Sequence, residues 1–130
     1  MADAAPYLEC VLDRGVLVLV VLRAQIEGED IAAGLRDELY AAVARHAATK
    51  VVLDLGHCRY VSSIAFWPLL ALRRKLADSE GRLIICGLTG AVLDVFTTTR
   101  MVSSSGSLDA PFETAPDRDA AVSRLSYLDA

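Results

Sequence analysis

The chain has 130 residues, 54% of them hydrophobic, with a formal net charge of −4 and a pI near 5.1. That length fits one domain able to bury a sizeable core, and that apolar content excludes a disordered chain. The acidic balance, with no cluster of aromatic and basic residues, argues against nucleic acid as a partner.

In chain order, Tyr7–Asp13 reads as a strand, Arg14-Gly15 as a tight turn and Val16–Leu22 as a strand buried on both faces, which together predict an antiparallel hairpin. The apolar run Val16–Leu22 is too short to span a bilayer. Met-Ala-Asp-Ala-Ala-Pro at the N-terminus has no basic segment and no leader-type apolar stretch, so a cytoplasmic location without membrane insertion is expected. A polar stretch, Gln25 to Asp30, follows, and its acidic residues Glu27, Glu29 and Asp30 read as a solvated loop with Asp30 as helix N-cap. Ile31, Leu35, Leu39, Ala42 and Val43 then recur at helical spacing, with Arg45 and His46 suited to the C-terminal end of that helix.

Lys50–Leu55 is the third strand, and a second helix runs from about Ile64 to Ala77 with a core stripe of Ala65, Leu69, Leu72 and Leu76. Arg73, Arg74 and Lys75 form a solvated face of it. Arg82–Cys86 is the fourth strand, Gly90 to about Met101 a third helix, Ser103–Ser107 a flexible loop by composition, Phe112-Glu-Thr a short edge strand and Asp117–Leu125 a capped final helix. The expected class is therefore α/β, with a mostly parallel mixed sheet of four to five strands, an N-terminal β-hairpin and about four helices. A single domain over residues 1–130, with its core at about 7–125, accounts for the whole pattern.

Cys10, Cys58 and Cys86 are an odd set that fits a reducing compartment, and Cys10 and Cys86 are expected to be buried in strands. The His57-Cys58 pair has too few companions for a metal site, so no metal and no cofactor are expected. Ser63 has no oxyanion glycines and no Gly-x-Ser-x-Gly elbow, and no phosphate-binding glycine loop occurs, so the chain reads as a non-enzyme.

The most informative stretch is Lys50 to Cys86, where a strand ending in Asp54-Leu55-Gly56 gives a polar turn that delivers Ser62 and Ser63 to a helix N-terminus. A serine there can cap the helix, or carry a phosphate stabilised by unpaired N–H groups and the helix dipole. Phe66, Trp67 and Leu70 fall on the flank of the core stripe and read either as packing under a loop or as anchors of a partner surface.

The order of elements, together with these residues, resembles the STAS domain, the fold of bacterial anti-sigma factor antagonists, over roughly Tyr7 to Leu125. In that family the strand ends in Asp-Leu-Ser-Gly and a few residues later comes Asp-Ser-Ser-Gly-Leu-Gly. Here Asp54-Leu55-Gly56 is similar to the first element, and Val61 to Leu83 matches the second without gaps. Ser62 stands at the family's aspartate, Ser63 at the serine that partner kinases phosphorylate, and Ala65 and Trp67 at the two motif glycines. Pro68 and a longer Val102–Pro111 region are further departures. The resemblance implies a regulatory domain that binds an anti-sigma factor of the serine-kinase type, with Ser63 as phosphoacceptor and Ser62 as second choice. The contact would be made by Ser62, Ser63, Ile64, Phe66, Trp67 and Leu70, and ATP would belong to the kinase. The substituted motif also fits a STAS subunit held permanently in a larger assembly, stressosome-like or accessory to a transporter. A homo-oligomer is compatible with either reading. A third expectation is a small-ligand module with an apolar pocket beside Trp67.

Overall fold

The computed structural model describes residues 7–102 and 110–127. Strands β1 (Leu8–Asp13), β2 (Val16–Val21), β4 (Lys50–Asp54), β6 (Arg82–Cys86) and β7 (Glu113–Ala115) form one sheet in the order β1-β2-β4-β6-β7. The first pair is antiparallel, with Asp13 opposite Val16, and the other pairs are parallel. Arg14 and Gly15 both adopt positive φ, 52° and 79°, which gives the turn the twist that a two-residue hairpin needs. The expected hairpin on a mostly parallel sheet is the observed one.

Every residue of β2 is buried, and its side chains alternate between two cores. Leu17, Leu19 and Val21 join Leu53 and Ile85 beneath α1 (Glu29–His46), α2 (Phe66–Asp78) and α3 (Gly90–Thr98). Val16, Val18 and Val20 join Val52 and Ile84 beneath α4 (Arg118–Tyr127). A strand covered on both faces must be apolar at consecutive positions, which is why the run shows no alternation in sequence. Helix α4 presents Ala121, Val122 and Leu125, with half-buried Ala120 beside them, to its core, and polar contacts at the rim of the sheet add to its docking. Arg14 donates to Asp119 at 2.8 Å and to Ser123 at 3.0 Å. Glu113 accepts from Arg82 at 2.8 Å and from Arg124 at 3.0 Å. Burial works to raise the Glu113 pKa, but the two guanidiniums overcome that and hold it below its ordinary value.

Several elements differ from the sequence expectation. Helix α1 begins at Glu29 after Gly28, whose φ of 89° ends the preceding turn, so Asp30 lies inside the first helical turn and is not its cap. There it still opposes the positive end of the helix dipole. The second helix opens with a 3-10 turn at Ser63–Ala65 before α2 proper. Helix α3 stops at Thr98, and the Thr99 hydroxyl donates back to the Val95 carbonyl at 2.6 Å. Strand β7 starts one residue after Phe112, which is itself buried. Asp117 does cap α4, accepting the Ala120 N–H at 2.9 Å. Cys10 is exposed, because β1 is the edge strand, whereas Cys58 and Cys86 are buried. Two short strands, β3 (Gln25–Ile26) and β5 (Tyr60–Val61), pair in parallel where only a polar stretch and a turn were expected. The Ser103–Ser107 loop lies outside the described residues. Among those residues, no helix is long and apolar enough to cross a membrane.

Gly87 follows β6 with φ at 79°, and a Cβ there would stand 2.7 Å from the Gly56 nitrogen and 2.9 Å from Asp54 Oδ1. Gly87→Ala should therefore destabilise the protein by about 1–3 kcal/mol, through backbone strain and displacement of the Gly56 segment. Chemical denaturation with the m-value held constant measures the loss; an unchanged midpoint would show that the two loops are not pressed together.

Candidate functional site

The polar turn between β4 and α2 is tied to its surroundings at every few residues. The Leu55 N–H donates to the Cys86 carbonyl at 3.0 Å, the Gly56 N–H to Asp54 Oδ1 at 2.8 Å, and the Cys58 N–H to the Leu55 carbonyl at 3.0 Å. The Arg59 and Tyr60 N–H groups converge on the Ala24 carbonyl at 2.7 and 3.2 Å, and the Ser62 N–H reaches the Ile26 carbonyl at 3.0 Å. The small β3–β5 ladder thus fixes the chain just before the two serines. Apolar residues anchor the same stretch from below, since Leu55, Cys58, Val61 and Ala65 all enter the main core.

Ser62 is extended (φ −97°, ψ 168°) and half-buried, and its side chain makes no cap bond. Its carbonyl accepts the Ala65 N–H at 3.0 Å, which closes the 3-10 turn. Ser63 is the first residue of that turn and is exposed. Pro68 is the third residue of α2, inside the first turn, where an N–H has no intrahelical partner to lose.

The neighbouring aromatics part company. Trp67 is 46% exposed, and the Arg36 guanidinium of α1 lies over its ring, 4.9 Å from the centroid. Of the two sequence readings of Phe66, packing and partner anchor, its burial fits packing and leaves it no exposed surface for a partner. It is buried and packs edge-on against Phe96 of α3, with centroids 4.9 Å apart at 85°. The reason is register: Phe66, Leu69 and Leu76 share the i, i+3, i+10 face, so the core stripe runs through Phe66. Ile64 and Leu70 are half-buried, and Leu70 packs against the main core. The turn therefore presents Ser63 and Trp67 fully, Ser62, Ile64 and Leu70 in part, and Phe66 not at all. Arg36 is an unanticipated member of this surface, since no local pattern in α1 marks it.

Burial pushes the Cys58 thiol up to about 11 and the Cys86 thiol up to about 12, and the charge of nearby Asp54 adds to both. A cleft of about 380 Å³ lies between α3 and β7 and is lined by Leu88, Leu93, Thr97, Val102 and Thr114.

Residues 17–103 match the family model described as "Mlab, STAS domain", and the chain belongs to the STAS domain family. A curated relative, the candidate anti-sigma factor antagonist BtrV of Bordetella bronchiseptica, is 33% identical over 90 residues, covering 65% of this chain and 77% of BtrV. The crystal structure of a candidate anti-sigma factor antagonist from Thermotoga maritima superposes with a TM-score of 0.74 at 13% identity, over 91% of this chain and 93% of that one. A chain from the molecular architecture of the stressosome gives 0.67 at 18% identity, over 93% and 98%. At such identities the two structures establish the fold.

Two measurements check this geometry. Trp67→Ala should change stability by less than about 1 kcal/mol, whereas Phe66→Ala, which empties a core site, should cost about 3–5 kcal/mol. Equal losses on thermal unfolding would place both rings in the core. The thiols give a second test. At about pH 8 a maleimide should label Cys10 in the native protein and spare Cys58 and Cys86, and Cys10→Ser should abolish native labelling. Since both buried thiols stay protonated above their ordinary value of 9.0, the stability they contribute is complete below that pH. It is then lost as the pH rises towards about 11 and about 12. A melting temperature flat across that alkaline range would contradict the assigned direction.

Proposed function

We propose that this chain is a cytoplasmic regulatory domain of the anti-sigma factor antagonist type, a non-enzyme that acts by binding an anti-sigma factor of the serine-kinase class. The contact is the Ser62–Trp67 turn with the first turn of α2, and Ser63 is its switch. The observation that carries this reading is the placement of Ser63. It is exposed at the first residue of a helical segment, on a turn whose backbone is bonded to β3 and β6 and whose floor is core. A rigid, exposed hydroxyl is what a kinase can reach and a partner can read. Phosphorylation would add about −1.5 to −2 charges there. In a contact that excludes water that charge opposes binding, so the partner is released. The kinase supplies the ATP, and the domain needs no cofactor of its own. The relationship to BtrV, a candidate anti-sigma factor antagonist, supports an anti-sigma factor as the partner.

A second reading is favoured by a specific feature of the turn. Ser62 replaces the acidic residue of the family motif, and Trp67, with Arg36 stacked on it, fills a position where the motif has glycine. A bulky, partly prepaid aromatic platform suits a permanent neighbour in a larger assembly, with or without phosphorylation. The two readings separate on a pair of variants. Against a purified serine-kinase partner, Ser63→Asp should weaken binding on calorimetry by more than about tenfold, while Ser62→Asp should do markedly less, because Ser62 is half-buried and its backbone, not its side chain, builds the turn. Equal losses at the two positions would favour the permanent-subunit reading over the switch.

A further inference from the structure

The Ser63 turn and the C-terminal helix meet at one carboxylate. Asp54 ends β4 with its side chain only 17% exposed. Its Oδ1 accepts the Gly56 N–H at 2.8 Å, and its Oδ2 faces Arg118 Nη2, on the first residue of α4, at 3.3 Å. The remaining ion pairs of α4 lead elsewhere: Asp119 pairs with Arg14 of the hairpin turn, and Arg124 with Glu113 of β7. Among the described residues, Arg118 is thus the one charged side chain of α4 paired to the segment that leads into the candidate site. The surroundings leave Asp54 little freedom. Gly87 packs against the same Oδ1, and the buried thiols of Cys58 and Cys86 both sense the Asp54 charge.

We propose that Arg118 is a positioning residue for the Ser63 turn and makes α4 a second input to it. With Arg118 in place, Asp54 is neutralised on one oxygen and free to orient the other towards Gly56. Without it, a half-buried carboxylate lacks its counter-charge and turns towards solvent, and the Gly56 N–H loses its acceptor. The chain from Gly56 through Cys58 to Ser62 then loosens at its first anchor. A partner that displaces the N-terminus of α4 would do the same to the turn, although it touches neither serine. The regulatory meaning of this coupling rests on the proposed function; its structural content does not, and is tested without any partner.

The test is amide hydrogen exchange, followed by NMR on the full chain, for Arg118→Ala, Arg118→Lys and Arg124→Ala. In Arg118→Ala the Gly56 and Cys58 amides should exchange about two- to fivefold faster, the range expected for loss of a part-exposed ion pair. Arg118→Lys, which keeps a charge within reach of the single Oδ2 contact, should restore them. Arg124→Ala should loosen α4 at β7 and leave the turn amides unchanged. Coupling is reciprocal, so Asp54→Asn should speed exchange at Ala120 and Ala121, and this arm stands even if Arg118→Ala folds poorly. Turn amides indifferent to Arg118→Ala, turn amides as sensitive to Arg124→Ala as to Arg118→Ala, or α4 amides indifferent to Asp54→Asn would each overturn the proposal.

Discussion

The architecture depends on one strand being buried on both sides. Six consecutive apolar side chains in β2 point alternately into two cores, and neither set can be left in water. Fully burying a single Val or Leu contributes about 1.5–3 kcal/mol, so each face of β2 requires a helical cover. Parallel pairing with β4 requires a crossover, which α1 supplies above one face. The other face is left to α4, the last element of the described chain. Because α4 brings small inward side chains, its position also leans on ion pairs along the sheet rim, and one of these lies at the end of β4 where the candidate site begins.

That arrangement explains how a surface turn comes to be well ordered. Loops that leave the carboxyl ends of parallel strands are common binding sites because the sheet holds their first residues. Here Asp54 holds the first residue, the β3–β5 ladder holds the middle, and Ala65 and Phe66 anchor the end in the core. Between Ser62 and Leu70, Ser63 and Trp67 are the exposed residues. The division of labour between adjacent aromatics is economical in the structural sense: Phe66 secures α2 to α3 while Trp67 faces outward under Arg36. On the proposed reading, a partner at this surface would meet the Trp67 ring, the Arg36 guanidinium over it and the Ser63 hydroxyl.

The sequence was most readable where periodicity was long and uninterrupted. The hairpin, the two central strands and the stripe of α1 follow directly from Val16–Val21, Lys50–Leu55 and Leu35–Val43. The stripe Ala65, Leu69, Leu72 and Leu76 is core as read, but it is one residue wider than counted and takes in the Phe66 ring as well. Two-residue strands such as β3 and β5 carry no periodic signal, so the ladder that steadies Ser62 could not be anticipated. Cys10 obeys strand propensity but lies on an edge, and nothing local separates an edge strand from a central one. The pairs that define the site, Arg36 with Trp67 and Asp54 with Arg118, join residues distant in sequence and exist only once the layers have packed.

The Ser63 turn, with Trp67 beside it, is the proposed surface through which this STAS domain meets its partner. The most direct measurement is a quantitative affinity purification from the native cell, with wild type, Ser63→Asp and Trp67→Ala expressed at equal folded levels and the recovered proteins identified by mass spectrometry. The account predicts that wild type recovers an anti-sigma factor of the serine-kinase class and that both variants lose it selectively. Recovery of the same partners in the same amounts by all three proteins would contradict it.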